Sequence, residues 1–156
     1  MQISGSGRFV YVAQWVLAVL LPVFFFIGRG LVGGELGWLS VVGIFLGLIM
    51  IAALLIPPVI TRFDREVREQ RSTRVAYSVA SWALWVALLV GALSVPDEAD
   101  GGALDTALTT WTGGAIDDAA SGVIFAVAGV AMLVAYLGQL ALAIAGAVRS
   151  RSARDV

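Results

Sequence analysis

Residues Thr61–Arg74 read TRFDREVREQRSTR. Five of the chain's ten arginines fall in this stretch, and two long apolar runs lie on each side of it. A stretch this charged does not cross hydrocarbon, because each arginine at the centre of a bilayer costs at least about 2.5–3.5 kcal/mol. It therefore fixes the side on which everything else lies. The sequence predicts an all-α fold: a polytopic membrane protein built as a four-transmembrane-helix bundle, a single membrane domain over residues 1–156.

Composition agrees. The chain is 60% hydrophobic and 13% charged, whereas soluble domains are about 45–50% apolar and ~25% charged. The four apolar runs, about 9–27, 35–56, 75–95 and 119–148, are each near or above the ~20 residues that cross a ~30 Å hydrocarbon core. There is no cysteine, which excludes disulfides, thiol catalysis and thiolate metal sites. There is no histidine, the commonest general base and metal ligand. Nothing in the residue types calls for a cofactor.

Working outward, the first run is too long for a signal peptide, whose apolar core is ~7–15 residues. It also ends in Phe24, Phe25, Phe26 and Ile27, so an uncleaved helix with a kink at Pro22 is expected. The turn Gly28–Gly34 carries Arg29 as its sole charge. Glu35 suits the start of the second helix, and Pro57-Pro58 predicts a break or bend at its end.

Arg62, Arg65, Arg68, Arg71 and Arg74 recur every third residue, as in a voltage sensor. Asp64, Glu66 and Glu69 interleave with them, and a sensor needs apolar residues there. Arg62–Glu66, Asp64–Arg68 and Arg65–Glu69 are spaced for i,i+4 pairing. A three-residue period also drifts about 60° per step, so these arginines encircle a helix and form no stripe. The cytoplasmic loop 57–74 thus reads as solvated and ion-paired, or as a helical extension. With Arg149, Arg151 and Arg154 of the tail it offers a surface for anionic lipid or a partner.

The loop 96–118 holds six acids and no base. In it Leu104, Leu108 and Trp111 are spaced for a short amphipathic helix on the outer surface. Asp117 and Asp118 stand where an N-cap opens the fourth helix. Asp97–Asp105 (DEADGGALD) lacks the alternating acids and final glutamate of an EF-hand loop. Its D-x-x-D-G start matches that of the CDP-alcohol phosphotransferase signature, but the alanine-arginine pair that must follow is absent, and the match reads as chance.

Nine arginines gather on one side of the four runs, and the other side has Arg29 as its only base, with all six loop acids. By the positive-inside rule both termini are cytoplasmic and the location is the cell membrane. Tyr11, Phe63 and Tyr77 then fall at the inner interface and Trp38 and Trp111 at the outer one. Stripes of small residues predict close helix packing: Gly43 and Gly47 on the second helix, Ala80, Ala83, Ala87 and Gly91 on the third, Ala131, Ala135 and Gly138 on the fourth. The first helix lacks such a stripe and is expected at the periphery.

No ionisable side chain lies within the spans, which argues against a proton-coupled antiporter. The polar set Gln14, Ser78, Ser81, Tyr136 and Gln139 either bonds helices together or lines a cavity. The arginines are balanced by acids beside apolar runs, and no nucleic-acid module or phosphate loop is present. The expectation is a non-enzymatic structural, scaffolding or accessory subunit that works with other membrane chains in the lipid bilayer. An oligomeric channel or small-solute transporter is the alternative, and a membrane-embedded enzyme comes third.

Overall fold

The computed structural model describes residues 6–152, so Arg154 lies outside the described residues. Four helices are long and apolar enough to cross a membrane: α1 (Gly7–Phe26), α2 (Trp38–Thr61), α4 (Val75–Ser94) and α6 (Asp118–Ser152). Between them lie a 3-10 turn (Gly28–Val32), the short helix α3 (Arg65–Gln70), an antiparallel hairpin of β1 (Asp97–Ala99) and β2 (Gly102–Leu104), and the short helix α5 (Ala107–Trp111). Apolar side chains alone do not choose a helix. A segment with no water to bond its backbone must bond itself, and the α-helix does this within one segment.

Of the break or bend expected at Pro57-Pro58, the break does not occur, and α2 runs on to Thr61. Proline at 57 has no N–H, so it releases the carbonyl four residues earlier, that of Ala53. The Tyr136 hydroxyl on α6 donates to this carbonyl at 3.1 Å. A neighbouring helix thus supplies the bond that the imide takes away. The Thr61 hydroxyl similarly donates to the Pro58 carbonyl at 2.7 Å.

The other end of α2 differs from expectation too. The helix starts at Trp38, and Glu35 precedes it in an extended segment. There the Glu35 N–H donates to the Asp105 carbonyl at 3.0 Å. Its carboxylate accepts from the Asp105 N–H at 3.2 Å. Glu35 therefore ties two connections together and does not cap the helix.

The four long helices form a ring in which α1 touches α2 and α4, and α6 touches α4 and α2. The core between them is built on Leu21, Phe25, Phe26, Leu84, Trp85 and Leu88. Helix α1 is not peripheral. In its apolar window 44% of residues are buried, against 50% for α4 and 11% for each of α2 and α6. The missing small-residue stripe misleads because α1 supplies the bulk and its neighbours supply the gaps. A Cβ at Gly43 would run into the Phe26 ring, and one at Gly91 would stand 3.3 Å from the Phe25 ring. Aromatic knobs on α1 thus seat in glycine notches on α2 and α4. Helix α6, with 35 residues, is about 52 Å long and overreaches a ~30 Å hydrocarbon layer.

Candidate functional site

The polar side chains inside the bundle form one linked set around Tyr77, with Ser78 and Tyr136 outside it. Tyr77 is fully buried, and its hydroxyl donates to Gln14 Oε1 at 2.9 Å. It is a core residue of the α1–α4 contact and has no place in an interfacial belt, because its turn of α4 faces α1. Gln14 Nε2 donates back to the Tyr11 carbonyl at 3.1 Å. On the α4–α6 contact, Gln139 Nε2 donates to Ser81 Oγ at 2.8 Å, and Ser81 donates to the Tyr77 carbonyl at 2.8 Å. Ser78 turns instead to Thr73, hydroxyl to hydroxyl at 2.8 Å. Tyr136 faces α2, as described. Gln14, Ser81 and Gln139 therefore meet around Tyr77, whereas Ser78 and Tyr136 turn elsewhere. The cavity beside Gln14 and Gln139 measures about 10 Å³, room for one water at most.

The small-residue positions also separate. Gly43, Gly47, Ala87 and Gly91 are buried at helix contacts, and Ala80 and Ala135 are half-buried. Ala83 and Ala131 are exposed, and Gly138 has nothing within 4 Å of where a Cβ would stand. The face of α6 turned inward carries Ser121, Ala128, Gln139, Ala143 and Gly146.

At the hairpin end the structure buries a charge pair. The guanidinium of Arg29 donates to Asp97 Oδ2, with the two side chains only 2% and 3% exposed. Asp97 does more than neutralise it. Its Oδ2 accepts from the Gly37 N–H at 2.7 Å, and its Oδ1 accepts from the N–H groups of Leu39 and Glu98 at 2.9 Å each. A carboxylate sixty residues downstream thus caps α2, meeting orphan donors that every helix start leaves open. Burial alone would push the Asp97 carboxyl up. The donors from Leu39, Gly37, Glu98 and Arg29 outweigh it and hold the group below its usual value. Arg29 is less well served: its contacts to the Val95 carbonyl and Ser40 hydroxyl are both 3.4 Å, and its Nε is buried without a partner.

The connection 96–118 closes over this pair. Thr110 Oγ1 donates to the Gly33 carbonyl at 2.8 Å, and the Trp111 indole N–H donates to the Val32 carbonyl. Thr106 caps α5 through the Thr109 N–H at 3.1 Å and meets Ser121 of α6 at 2.9 Å. Asp117 caps α6, accepting from the Ala120 N–H at 2.8 Å. Among the described residues no three acidic side chains converge as metal ligands would.

The arginine end, expected as a solvated, ion-paired loop or a helical extension, contains the short helix α3, packed against α6 through a buried acid. Asp64 is buried and caps α3 through the Glu66 N–H at 3.2 Å. It also accepts from Arg74 Nε at 2.9 Å and from Ser150 Oγ at 3.1 Å. Helix α6 approaches so closely here that a Cβ on Gly146 would stand 2.6 Å from Asp64 Oδ2. Burial pushes the Asp64 carboxyl up, but the bonds and charge of Arg74, with Ser150 and the Val67 N–H, hold it below its usual value. On the far side the Thr73 N–H donates to the Gly7 carbonyl at 3.1 Å, pinning the start of α1.

Of the three expected i,i+4 pairs only Arg65–Glu69 forms, at 2.6 Å. Asp64 takes Arg74 instead of Arg68, and Arg74 also reaches Glu66 at 2.7 Å. Arg62 lies 5.2 Å over the Trp15 ring. Arg68 and Arg71, with Arg62 and Arg8, border an open groove of about 720 Å³. Arg149 and Arg151 lie in the last turns of α6, outside the lining of this groove.

Protein-family models, curated proteins and solved structures give no match to this chain. Its chemistry is read from these residues alone. Sequence reasoning missed the Arg29–Asp97 pair although a signal existed. A single base in one connection and the first acid of another face the same end of any four-helix topology, with opposite charge.

Proposed function

We propose that the chain is a multi-pass integral protein of the cell membrane, with both termini cytoplasmic, acting as a non-enzymatic structural or accessory subunit. The four long apolar helices support insertion. The arginine end then faces the cytoplasm, and α5 lies at the outer interface with the exposed Trp111.

The observation that carries the subunit reading is how the interior polar groups are spent. Gln14, Ser78, Ser81, Tyr136 and Gln139 each bond to a neighbouring segment or helix turn, and the space between them holds about 10 Å³. A solute path needs polar groups turned toward a continuous hydrated space. Here they bind helix to helix. Both ends are fastened by buried carboxylates, while α2 and α6 present broad apolar faces outward. A rigid body with two adjacent apolar faces is suited to docking beside other helices in lipid.

The test is native mass spectrometry of the chain released from its own membrane in gentle detergent. The subunit reading expects it in stoichiometric complex with a different membrane chain, and expects Gln139→Leu to leave that complex intact. A homo-oligomeric ring that gives reconstituted vesicles a solute or ion flux, abolished by Gln139→Leu, would show a transporter instead.

A further inference from the structure

Five arginines between α2 and α4 look equivalent in the sequence, and the fold divides them. Arg65 is paired with Glu69, and Arg74 with Asp64 and Glu66. The remaining three, Arg62, Arg68 and Arg71, join Arg8 from the first turn of α1 around the groove of about 720 Å³. Among the described residues no carboxylate forms an ion pair with any of these four. The single acid on the groove, Glu69, is already bonded to Arg65. Four bases and one acid leave a formal charge of 4 − 1 = +3.

The groove is also built. Arg62 is held by its stack on Trp15, which is on the same helix as Arg8. Arg71 closes α3 in the left-handed region at φ 49°, with its N–H bonded to the Val67 carbonyl. Tyr11 lies on the wall, one turn along α1 from Arg8. Arg62 follows α2 directly and Arg8 opens α1, so the groove sits where two apolar spans end.

We infer that this groove binds the headgroup of an anionic phospholipid carrying two phosphates on one headgroup, of the cardiolipin type. The inference rests on the membrane reading above, which sets the groove at headgroup depth. Guanidinium groups suit phosphate through paired N–H donors. A single phosphate does not fill the volume, which lies in the ordinary range for a ligand site of about 300–1,000 Å³, and leaves two of the three charges unmatched, whereas two phosphates leave one. Basic pockets beside membrane-spanning helices on the inner face bind such headgroups.

The experiment uses the full chain purified alone in mild detergent. It is mixed with cardiolipin, phosphatidylglycerol or phosphatidylcholine, and bound lipid is counted by native mass spectrometry. One cardiolipin per chain is expected, in preference to phosphatidylglycerol and with no phosphatidylcholine retained. Each arginine removed should weaken cardiolipin about fivefold, so Arg68→Gln/Arg71→Gln should lose roughly thirtyfold. Arg151→Gln, which removes a charge of α6 outside the groove lining, should bind as the natural chain does. Equal retention of the three lipids by the natural chain overturns the inference with no variant needed. So does unchanged cardiolipin binding by the double variant, or displacement of the lipid by excess inorganic phosphate, which marks a site for free anions. Because no partner chain is present, these outcomes are independent of the subunit reading. A chain that stays monodisperse in water without detergent overturns the membrane reading itself.

Discussion

Asp97→Asn and Arg29→Met remove the two halves of one buried pair, and the geometry makes their costs unequal. Asparagine keeps the shape of aspartate and one acceptor oxygen, but it strands the Arg29 charge in a site 2% exposed. Arg29 has only two 3.4 Å contacts to fall back on and a buried Nε with none. Stranding one partner of a buried pair costs about 3–5 kcal/mol, and lost capping of α2 adds roughly 0.5–2 kcal/mol. Arg29→Met, by contrast, leaves the Asp97 carboxylate with three backbone N–H donors at 2.7–2.9 Å. Its cost should be smaller, about 1–3 kcal/mol, the penalty of an imperfectly satisfied group. The double variant removes the stranded cation and should be more stable than Asp97→Asn alone. The assay is reversible unfolding in detergent micelles followed by circular dichroism, with both singles and the double as a cycle. If Arg29→Met is the more damaging single, or the double is worse than Asp97→Asn, the claim that the backbone donors hold the Asp97 charge better than Arg29 is held without Asp97 is refuted.

Gly43→Ala should destabilise by about 1–3 kcal/mol through overpacking against Phe26, whereas Gly138→Ala, with open space around it, should be neutral or gain up to about 1 kcal/mol of helix propensity; the same unfolding assay compares them. Tyr136→Phe strips the Ala53 carbonyl of the bond that replaces the one lost at Pro57. It should cost about 0.6 kcal/mol, and at most ~1.7, with faster amide hydrogen exchange over Val59–Thr61 as the local readout. For pH, Asp97 and Asp64 both have folded-state values below 3.8. Their contribution is therefore full above the unfolded value and is lost as pH falls from about 4 downward through the depressed values. Unfolding midpoints should be flat from pH 5 to 8 and drop below about pH 4, and the drop should shrink in Arg29→Met/Asp97→Asn. A drop that begins well above pH 5 would contradict the sign of both shifts.

The spans were legible because hydrophobicity and charge are summed over about twenty residues, and no local error overturns such a sum. Residues 7–26 and 75–94 match the expected 9–27 and 75–95 closely. Failures came where one residue answers to a distant partner. Pro57-Pro58 reads as a break or bend, yet Tyr136 repairs the backbone from seventy-nine positions beyond Pro57, and no local pattern encodes that. Glu35 has the composition of a helix start, yet the cap arrives from Asp97. The small-residue stripes gave the right residue types but not the contact face, since a glycine seats a neighbour only where a knob such as Phe26 exists. The arginine loop is legible in sequence only as charge and spacing. Periodicity could not distinguish Arg74, bound to Asp64, from Arg68 and Arg71 at the groove, because that division depends on how α3 turns back against α6.

The capping of α2 by Asp97 also sets an order of events during biosynthesis. The helix start at Gly37 must wait for a carboxylate sixty residues later, which a ribosome delivers about 3–12 s afterwards at ordinary elongation rates. Throughout that interval Arg29 lacks the carboxylate that buries it in the finished fold, and the first hairpin of helices is unlatched. Emergence of the third helix is thus the moment at which the nascent chain locks.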